Sequence, residues 1–297
     1  MVRDSSTVEA AYEWCETLTR RKARNFYYGL KLSPPTQRRA LYALYAWMRR
    51  ADDLVDDNHG SVDSCLERIS RFRSATDVVL GGDYPDESPL WVALWDTSQR
   101  FALTPAHFHS MLDGQIDDVE NRPYRTFTDL REYCYRVAST VGLLCLEIWG
   151  SHDDRAGQFA IDRGIAFQLT NILRDFREDF DAGRVYLPDE DFLRHEITPE
   201  ELRGWARPDR GRAFLLDQIN RAESYYRRSA ALDEVVGEGG RSSLWAMTSI
   251  YHQILVKMRR HPERIVQGDR MRLNALHKGA IAVRARWGHH AKQAAAR

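Results

Sequence analysis

The chain has 297 residues, enough to bury a substantial core in one large domain or two smaller ones. Its 43 basic and 43 acidic side chains cancel, which excludes the global charge bias of a nucleic-acid or anionic-membrane binder and leaves charge chemistry to local clusters. Four scattered cysteines, Cys15, Cys65, Cys134 and Cys145, make no C-x-x-C pair or disulfide framework, and no window approaches the roughly 20 apolar residues of a bilayer span; a reduced, cytoplasmic setting is expected.

The N-terminal MVRDSSTVEAAYEWCE lacks a basic segment followed by a hydrophobic one, so no targeting peptide is read there. Helix starts then recur along the chain. SPPTQRRALYALYAWMRRADDLVDD opens on prolines suited to a first helical turn, and LTPAHFHSMLDGQIDDVE and ITPEELRGWA open on Thr-Pro. Period-two alternation is nearly absent, which points to an all-α protein of roughly ten or more helices. GGDYPDESP (81–89), DAGRVYLPDED (181–191) and GEGG (237–240) read as loops inside one compact domain spanning 1–297, with a frayed end near 289–297.

Two helices carry acids where a core face should continue. From Leu41, steps of three and four residues reach Tyr45, Met48, Asp52 and Asp56, so an apolar stripe ends in two carboxylates, with Arg49 one turn before them. Asp53 and Asp57 are rotated away by about 100°. Aspartates at a helix C-terminus oppose the macrodipole, so a positive partner is expected. In GIAFQLTNILRDFREDFDAGRVYLP, the apolar stripe Ile161, Ile165, Leu169, Ile172, Phe176 and Phe180 is flanked by a second stripe, Gly164, Gln168, Asn171, Asp175 and Asp179. Asp175 and Asp179 repeat the spacing of Asp52 and Asp56, and Arg174 stands beside them as Arg49 does in the first helix. Facing one another, the two helices would line a cavity with carboxylates.

Four inward carboxylates repel unless cations neutralise them, and oxygen-only ligands select hard ions, Mg²⁺ above all because it shares its shell with phosphate oxygens. A di-iron bundle would need Glu-x-x-His pairs that neither motif has; His59, in DDNHG, reads as a turn residue. There is no nucleophilic Ser or Cys arrangement and no glycine-rich nucleotide loop.

At NFYYGLKLSPPTQRRALYALYAWMRRADDLVDD, YCYRVASTVG and QLTNILRDFREDFDAGRVYLP, the chain resembles the squalene and phytoene synthase family of head-to-head prenyl transferases, over about residues 12–275. The resemblance implies an all-α isoprenoid-synthase bundle around a central cavity, with Mg²⁺-bound diphosphates between two aspartate-rich helices. It implies Asp52, Asp56, Asp175 and Asp179 as Mg²⁺ ligands, with Asn171 among them and Gln168 beside them, and Mn²⁺ as an alternative ion. Arg49 would contact diphosphate, and Arg174 would be a further phosphate or structural partner. Tyr45, Tyr133, Tyr186, Tyr251 and Arg270 match polar positions near the diphosphates, with Tyr133 grouped among the catalytic residues. Phe26 matches an aromatic near the reacting chains, while Ala138 and Gly142 would leave room for a prenyl tail. Met48 departs from the cysteine often found there, which bears on pocket depth and leaves the charged groups intact.

What the resemblance implies chemically is Mg²⁺- and arginine-assisted ionisation of one prenyl diphosphate, attack by the double bond of a second, and proton loss to a cyclopropyl diphosphate. NFYYGL and DDLVDD are most similar to presqualene diphosphate synthases, so the expected reaction joins two farnesyl diphosphates to presqualene diphosphate for squalene, hopanoid or C30 carotenoid synthesis; LYAWMRR points to the alternative, phytoene synthases, which join two geranylgeranyl diphosphates. NADPH is not expected, nucleic acid is not a partner, and peripheral contact with a membrane would suit release of an apolar product. DDLVD also satisfies the D-D-x-x-D pattern of terpene cyclases and head-to-tail prenyltransferases, and a non-catalytic helical subunit is the remaining alternative.

Overall fold

The computed structural model describes residues 5–23, 26–56, 61–268, 270–274, 276–281 and 283–285. Asp56 is the last residue of its helix, and its side chain, like Asp57, His59 and the end of the chain from 286 on, lies outside the described residues.

Among the described residues the regular structure is entirely helical, apart from one isolated bridge between Ser151 and Val236. In order these are α1 (Ser5–Lys22), α2 (Phe26–Leu30), α3 (Pro35–Asp56), α4 (Val62–Leu80), α5 (Pro89–Arg100), α6 (Pro105–Val119) and α7 (Phe127–Cys134). A single π turn, Tyr135–Ser139, joins α7 to α8 (Thr140–Trp149). Then follow α9 (Ala156–Asp181), α10 (Asp189–Arg194), α11 (Pro199–Arg203), α12 (Pro208–Arg228), α13 (Leu232–Val235), α14 (Glu238–Arg260) and α15 (Glu263–Gln267).

The starts follow from local chemistry. Proline begins α3, α6 and α11, where its missing N–H costs nothing. Thr126 and Asp129 form a reciprocal capping box on α7, as Thr198 and Glu201 do on α11. Segments 81–88 and 182–188 are non-helical, in line with the breakers there. GEGG is the exception: Gly237 is the N-cap of α14, and Glu238, Gly239 and Gly240 form its first turn. The reason is packing, because Gly240 lies against the Trp149 ring, where a Cβ would come 2.5 Å from Cγ.

Buried side chains fall into two clusters. One is built on α1, α3, α4, α5, α6 and α8 around Trp47, Tyr42, Phe108 and Leu94; the other is built on α9, α12, α14 and α15 around Phe214, Leu215, Ile219 and Met258. Phe26 and Phe167 pack against both. The main cavity lies where the clusters meet, since Leu41, Leu44 and Met111 of the first and Tyr133 and Tyr251 of the second share its wall.

The π turn shapes that wall. It is held by Ser139 Oγ donating to Ile161 O at 2.7 Å and Thr140 Oγ1 donating to Arg136 O at 2.6 Å. Gly164 of α9 makes room for it: a Cβ there would sit 2.5 Å from Ser139 Cα. One extra residue per turn rotates the following helix, and it sets Val137, Ala138, Val141 and Gly142 along the cavity.

Candidate active site

The cavity encloses about 720 Å³, within the range of small-molecule sites. Its chemistry is divided. Leu30, Leu41, Leu44, Leu232, Val236 and Leu244 line one part with aliphatic carbon, and Arg49, Asp52, Gln115, Asp118, Arg174 and Arg270 line another with charge. A ligand with an anionic head and an apolar tail fits that division.

Helix α3 delivers the first acid as the stripe requires. Asp52 lines the cavity and accepts a hydrogen bond from Gln115 Nε2 at 3.2 Å. Arg49 and Tyr45 line the same wall one and two turns earlier. Asp53 points away from the cavity wall but is engaged: it forms the i,i+4 ion pair with Arg49. Burial raises the Tyr45 phenol to about 12, so it acts as a neutral hydrogen-bonding group.

On α9, Gln168, Asn171 and Arg174 reach the cavity, while Asp175 sits behind two arginines. Arg174 donates Nε to Oδ1 at 2.8 Å and Nη2 to Oδ2 at 2.6 Å. Arg270, from the non-helical segment after α15, meets the same carboxylate with Nε at 2.6 Å from Oδ1 and Nη2 at 2.7 Å from Oδ2. Burial opposes the charge on Arg174, but its bond to Asp175 and the neighbouring Tyr251 hold it protonated. Burial, then the negative charge of Asp175, pushes the Asp179 carboxyl up to about 7.

Aromatic rings cover the boundary between polar and apolar walls. Tyr251 stacks on Phe167 with centroids 4.8 Å apart and leans on Phe26 at 5.5 Å, and all three rings line the cavity. Ala138 and Gly142 line it as well, where the π turn puts them.

Does the donor set suit Mg²⁺? Asn171 Oδ1 is buried without a hydrogen bond, while its Nδ2 donates to Gln168 Oε1 at 3.3 Å. An unsatisfied buried carbonyl oxygen is costly, and a hard cation is a partner that would satisfy it. A cation would equally relieve the repulsion felt by Asp179. Among the described residues no three acidic, imidazole or thiolate groups close into a cage, but Mg²⁺ commonly takes one or two carboxylates and completes its shell with water and phosphate. The residues fit the ion.

The site also holds groups that the acid spacing did not reveal. Asp118 and Gln115 reach the cavity from α6, and Arg184 reaches it from the loop after α9. Tyr133 donates to both oxygens of Asp118, at 3.0 Å each, and Tyr186 donates to Oδ1 at 2.8 Å. The available signal was Met111, Gln115 and Asp118 at steps of four and three on one helical face.

A family model described as squalene/phytoene synthase matches residues 19–277. The chain belongs to the squalene/phytoene synthase family. Curated relatives include a 15-cis-phytoene synthase of Synechococcus elongatus, 36% identical over 271 residues and 85% of each chain. A phytoene synthase of Mycobacterium tuberculosis is 37% identical over 281 residues, 94% of this chain and 91% of that one. Among solved structures, a dehydrosqualene synthase in complex with ligand superposes with a TM-score of 0.82 at 26% identity, covering 96% of this chain and 98% of the other. Squalene synthase HpnC from Alicyclobacillus acidocaldarius does so at 0.79 and 25%, covering 86% and 96%.

This member of the squalene/phytoene synthase family is therefore a prenyltransferase with the all-α isoprenoid-synthase fold, and its reaction class is head-to-head condensation of prenyl diphosphates. Membership disposes of the terpene cyclase and head-to-tail alternatives, and the relatives named as synthases argue against a non-catalytic subunit. No helix among the described residues is long and apolar enough to cross a membrane.

Proposed function

We propose that the enzyme joins two molecules of geranylgeranyl diphosphate to phytoene by way of a cyclopropyl diphosphate. The observation that carries the 20-carbon chain is the likeness to relatives named phytoene synthase, at 36% and 37% identity over most of the chain. The aliphatic part of the cavity, from Leu41 and Leu44 to Leu232, Val236 and Leu244, supplies a long apolar wall consistent with it. The 15-carbon reading drawn from NFYYGL and DDLVDD is the competitor, and the likeness to a dehydrosqualene synthase favours it.

In this reading the diphosphate heads lie at the charged end and the tails run along Ala138, Gly142 and the leucines. Arg49, Arg174 and Arg270 hold the anionic leaving group, where a guanidinium fork suits phosphate oxygens. Asp52, Asp56, Asn171, Asp175 and Asp179 would hold Mg²⁺, which when bound neutralises the charge developing on that leaving group. Asp175 would then exchange part of its arginine shell for the ion, freeing Arg174 and Arg270 for diphosphate. The faces of Phe26, Phe167 and Tyr251 stabilise the allylic cation and keep water from it.

The test is incubation of the purified chain with Mg²⁺ and either geranylgeranyl or farnesyl diphosphate, with and without NADPH, and identification of products by mass. A C40 hydrocarbon formed from the longer substrate without NADPH is expected. A higher kcat/KM for farnesyl diphosphate, with a C30 product, would replace the proposal by its competitor. Undiminished Mg²⁺-dependent turnover after Asp52→Ala or Asp175→Ala would remove the metal assignment.

A further inference from the structure

Helix α9 runs along the cavity, and its wall residues pass from Arg174, Asn171 and Gln168 at the charged part to Phe167, Gly164 and Arg163. At roughly 1.5 Å of rise per residue, Arg163 stands about 18 Å along the helix axis from Asp175 and about 12 Å from Asn171. A charge thus sits at the depth where a prenyl tail needs hydrocarbon. Arg163 is only 3% exposed, and its guanidinium is committed to protein atoms. Nε donates to Ser229 Oγ at 2.8 Å and Nη2 to Ser229 O at 2.9 Å, at the end of α12. Nη1 pairs with Asp233 of α13, at 3.2 Å from Oδ1, and also donates to Thr248 Oγ1 of α14.

These partners stand beside the aliphatic residues of the tail wall. Asp233 follows Leu232 and lies one turn before Val236, and Thr248 is one turn beyond Leu244; the three aliphatic side chains line the cavity. One arginine therefore pins α13 and α14 to α9 across that wall. To admit more hydrocarbon the wall would have to draw α13 away from α9, stripping partners from a buried charge, which is the costliest group to leave uncompensated. Methionine at the same position, flexible and without a hydrogen bond to lose, would impose no such restraint.

We infer that Arg163 determines chain-length specificity: by locking α13 and α14 onto α9 it fixes the depth of the tail cavity, and with it the longest prenyl chain that condenses. The inference rests on the tail placement proposed above, with the diphosphate heads at the charged part, and it holds for whichever chain length the wild type prefers. Arg163 is a positioning residue, acting through Leu232, Val236 and Leu244, and it takes no part in ionisation or condensation. Removing its guanidinium strands no buried group. The Asp233 side chain is 31% exposed and meets water. Ser229 Oγ still donates to Tyr225 O at 2.8 Å, and Ser229 O still accepts from Leu232 N at 3.0 Å. Asp162 and Arg228, 3.1 Å apart, still join α9 to α12, so a neutral variant is expected to fold.

The experiment compares the full-length wild type with Arg163→Met, Arg163→Lys and Asp233→Ala. Each is given Mg²⁺ and farnesyl, geranylgeranyl or geranylfarnesyl diphosphate alone, and kcat/KM and product mass are measured beside a melting curve. For the first chain longer than the wild type's preferred one, Arg163→Met is expected to raise kcat/KM about tenfold relative to the preferred chain, the order of discrimination a hydrophobic wall exerts on added apolar groups. A condensed product of the matching mass should appear, with kcat on the preferred chain little changed. Arg163→Lys, which keeps the charge without the planar fork, and Asp233→Ala should fall between the two. An unchanged ratio between chain lengths in Arg163→Met overturns the inference, as does an equal loss on every substrate, which is what a tie without a role in specificity would give. If that variant does not fold, Asp233→Ala decides by the same ratio. A wild-type preference for farnesyl diphosphate would change the substrate proposed above and only move the reference chain, so the two readings fail separately. A wild type that condenses no prenyl diphosphate would strike the reaction assignment and this inference with it.

Discussion

Arg270 closes on Asp175 from 95 residues further along the chain, with Nε 2.6 Å from one carboxylate oxygen and Nη2 2.7 Å from the other. The pair ties the segment after α15 to the second aspartate motif, and it borders the charged part of the cavity. Arg174 holds the same carboxylate from its own helix, so loss of Arg270 leaves Asp175 paired. Arg270→Ala should therefore leave Tm almost unchanged. Its effect should fall on the diphosphate: a lost charge-assisted contact of roughly 1.5–3 kcal/mol raises KM by about 10- to 150-fold. Steady-state kinetics on either prenyl diphosphate, beside a melting curve, separates the two effects.

Asn171 gives a sharper test of the metal. Its side-chain oxygen is buried without a donor, so Asn171→Ala deletes an unsatisfied group and should not destabilise the metal-free protein. The Mg²⁺ concentration for half-maximal activity should rise at least about tenfold. A Mg²⁺ titration with unchanged midpoint would take Asn171 out of the ligand set.

Asp118 has a signature in stability. Burial raises its carboxyl from an ordinary value of 3.8 to about 6. Between those values the folded chain keeps a proton that the unfolded chain has released, so stability falls as pH rises through this window and levels off above it. Asp118→Asn has no such proton. The wild type should therefore lose stability relative to the variant from about pH 4 to about pH 6, with no further change at higher pH. Chemical unfolding of both proteins across that range checks it, and a constant difference would contradict it.

Gly164 separates helix propensity from packing. In an exposed helix, alanine would gain about 1 kcal/mol over glycine. Here the added carbon would meet Ser139 Cα at 2.5 Å and its backbone nitrogen at 2.7 Å, and backbone in a π turn cannot retreat as a flexible side chain can. Overpacking of this kind typically costs about 1–3 kcal/mol. Gly164→Ala should lower the urea midpoint without altering the slope, and it should change the cavity wall at Ala138.

The helical parts of the site were legible because period alone carries them. Asp52 continues the face of Leu41 and Tyr45, and Gln168, Asn171, Asp175 and Asp179 follow the turns of α9. Asp53 leaves the cavity wall, and its four-residue spacing from Arg49 pairs the two along one helix face, a contact the search for inward acids passes over. Asp118 escaped notice because it follows another aspartate in a sequence that looks like a solvated helix end; its tyrosine partners come from 15 and 68 residues downstream. The π turn was invisible for a different reason. ASTVG reads equally well as an ordinary helix with small side chains, and the extra residue is accommodated only because a glycine of α9 stands opposite. Arg270 follows no periodic pattern, and only the family resemblance pointed to it.

The cavity between the two buried clusters has a thermodynamic meaning of its own. Protein interiors are close-packed, so a hollow flanked by Leu41 and Leu44 on one side and Tyr251 on the other is packing that the polypeptide does not complete. The prenyl tails are then guest pieces of the interior, each buried methylene contributing up to ~0.8 kcal/mol. The folded state itself becomes a ruler for chain length: heat resistance conferred by non-reactive diphosphate analogues should climb with each isoprene unit and stop climbing at the unit the wall cannot seat.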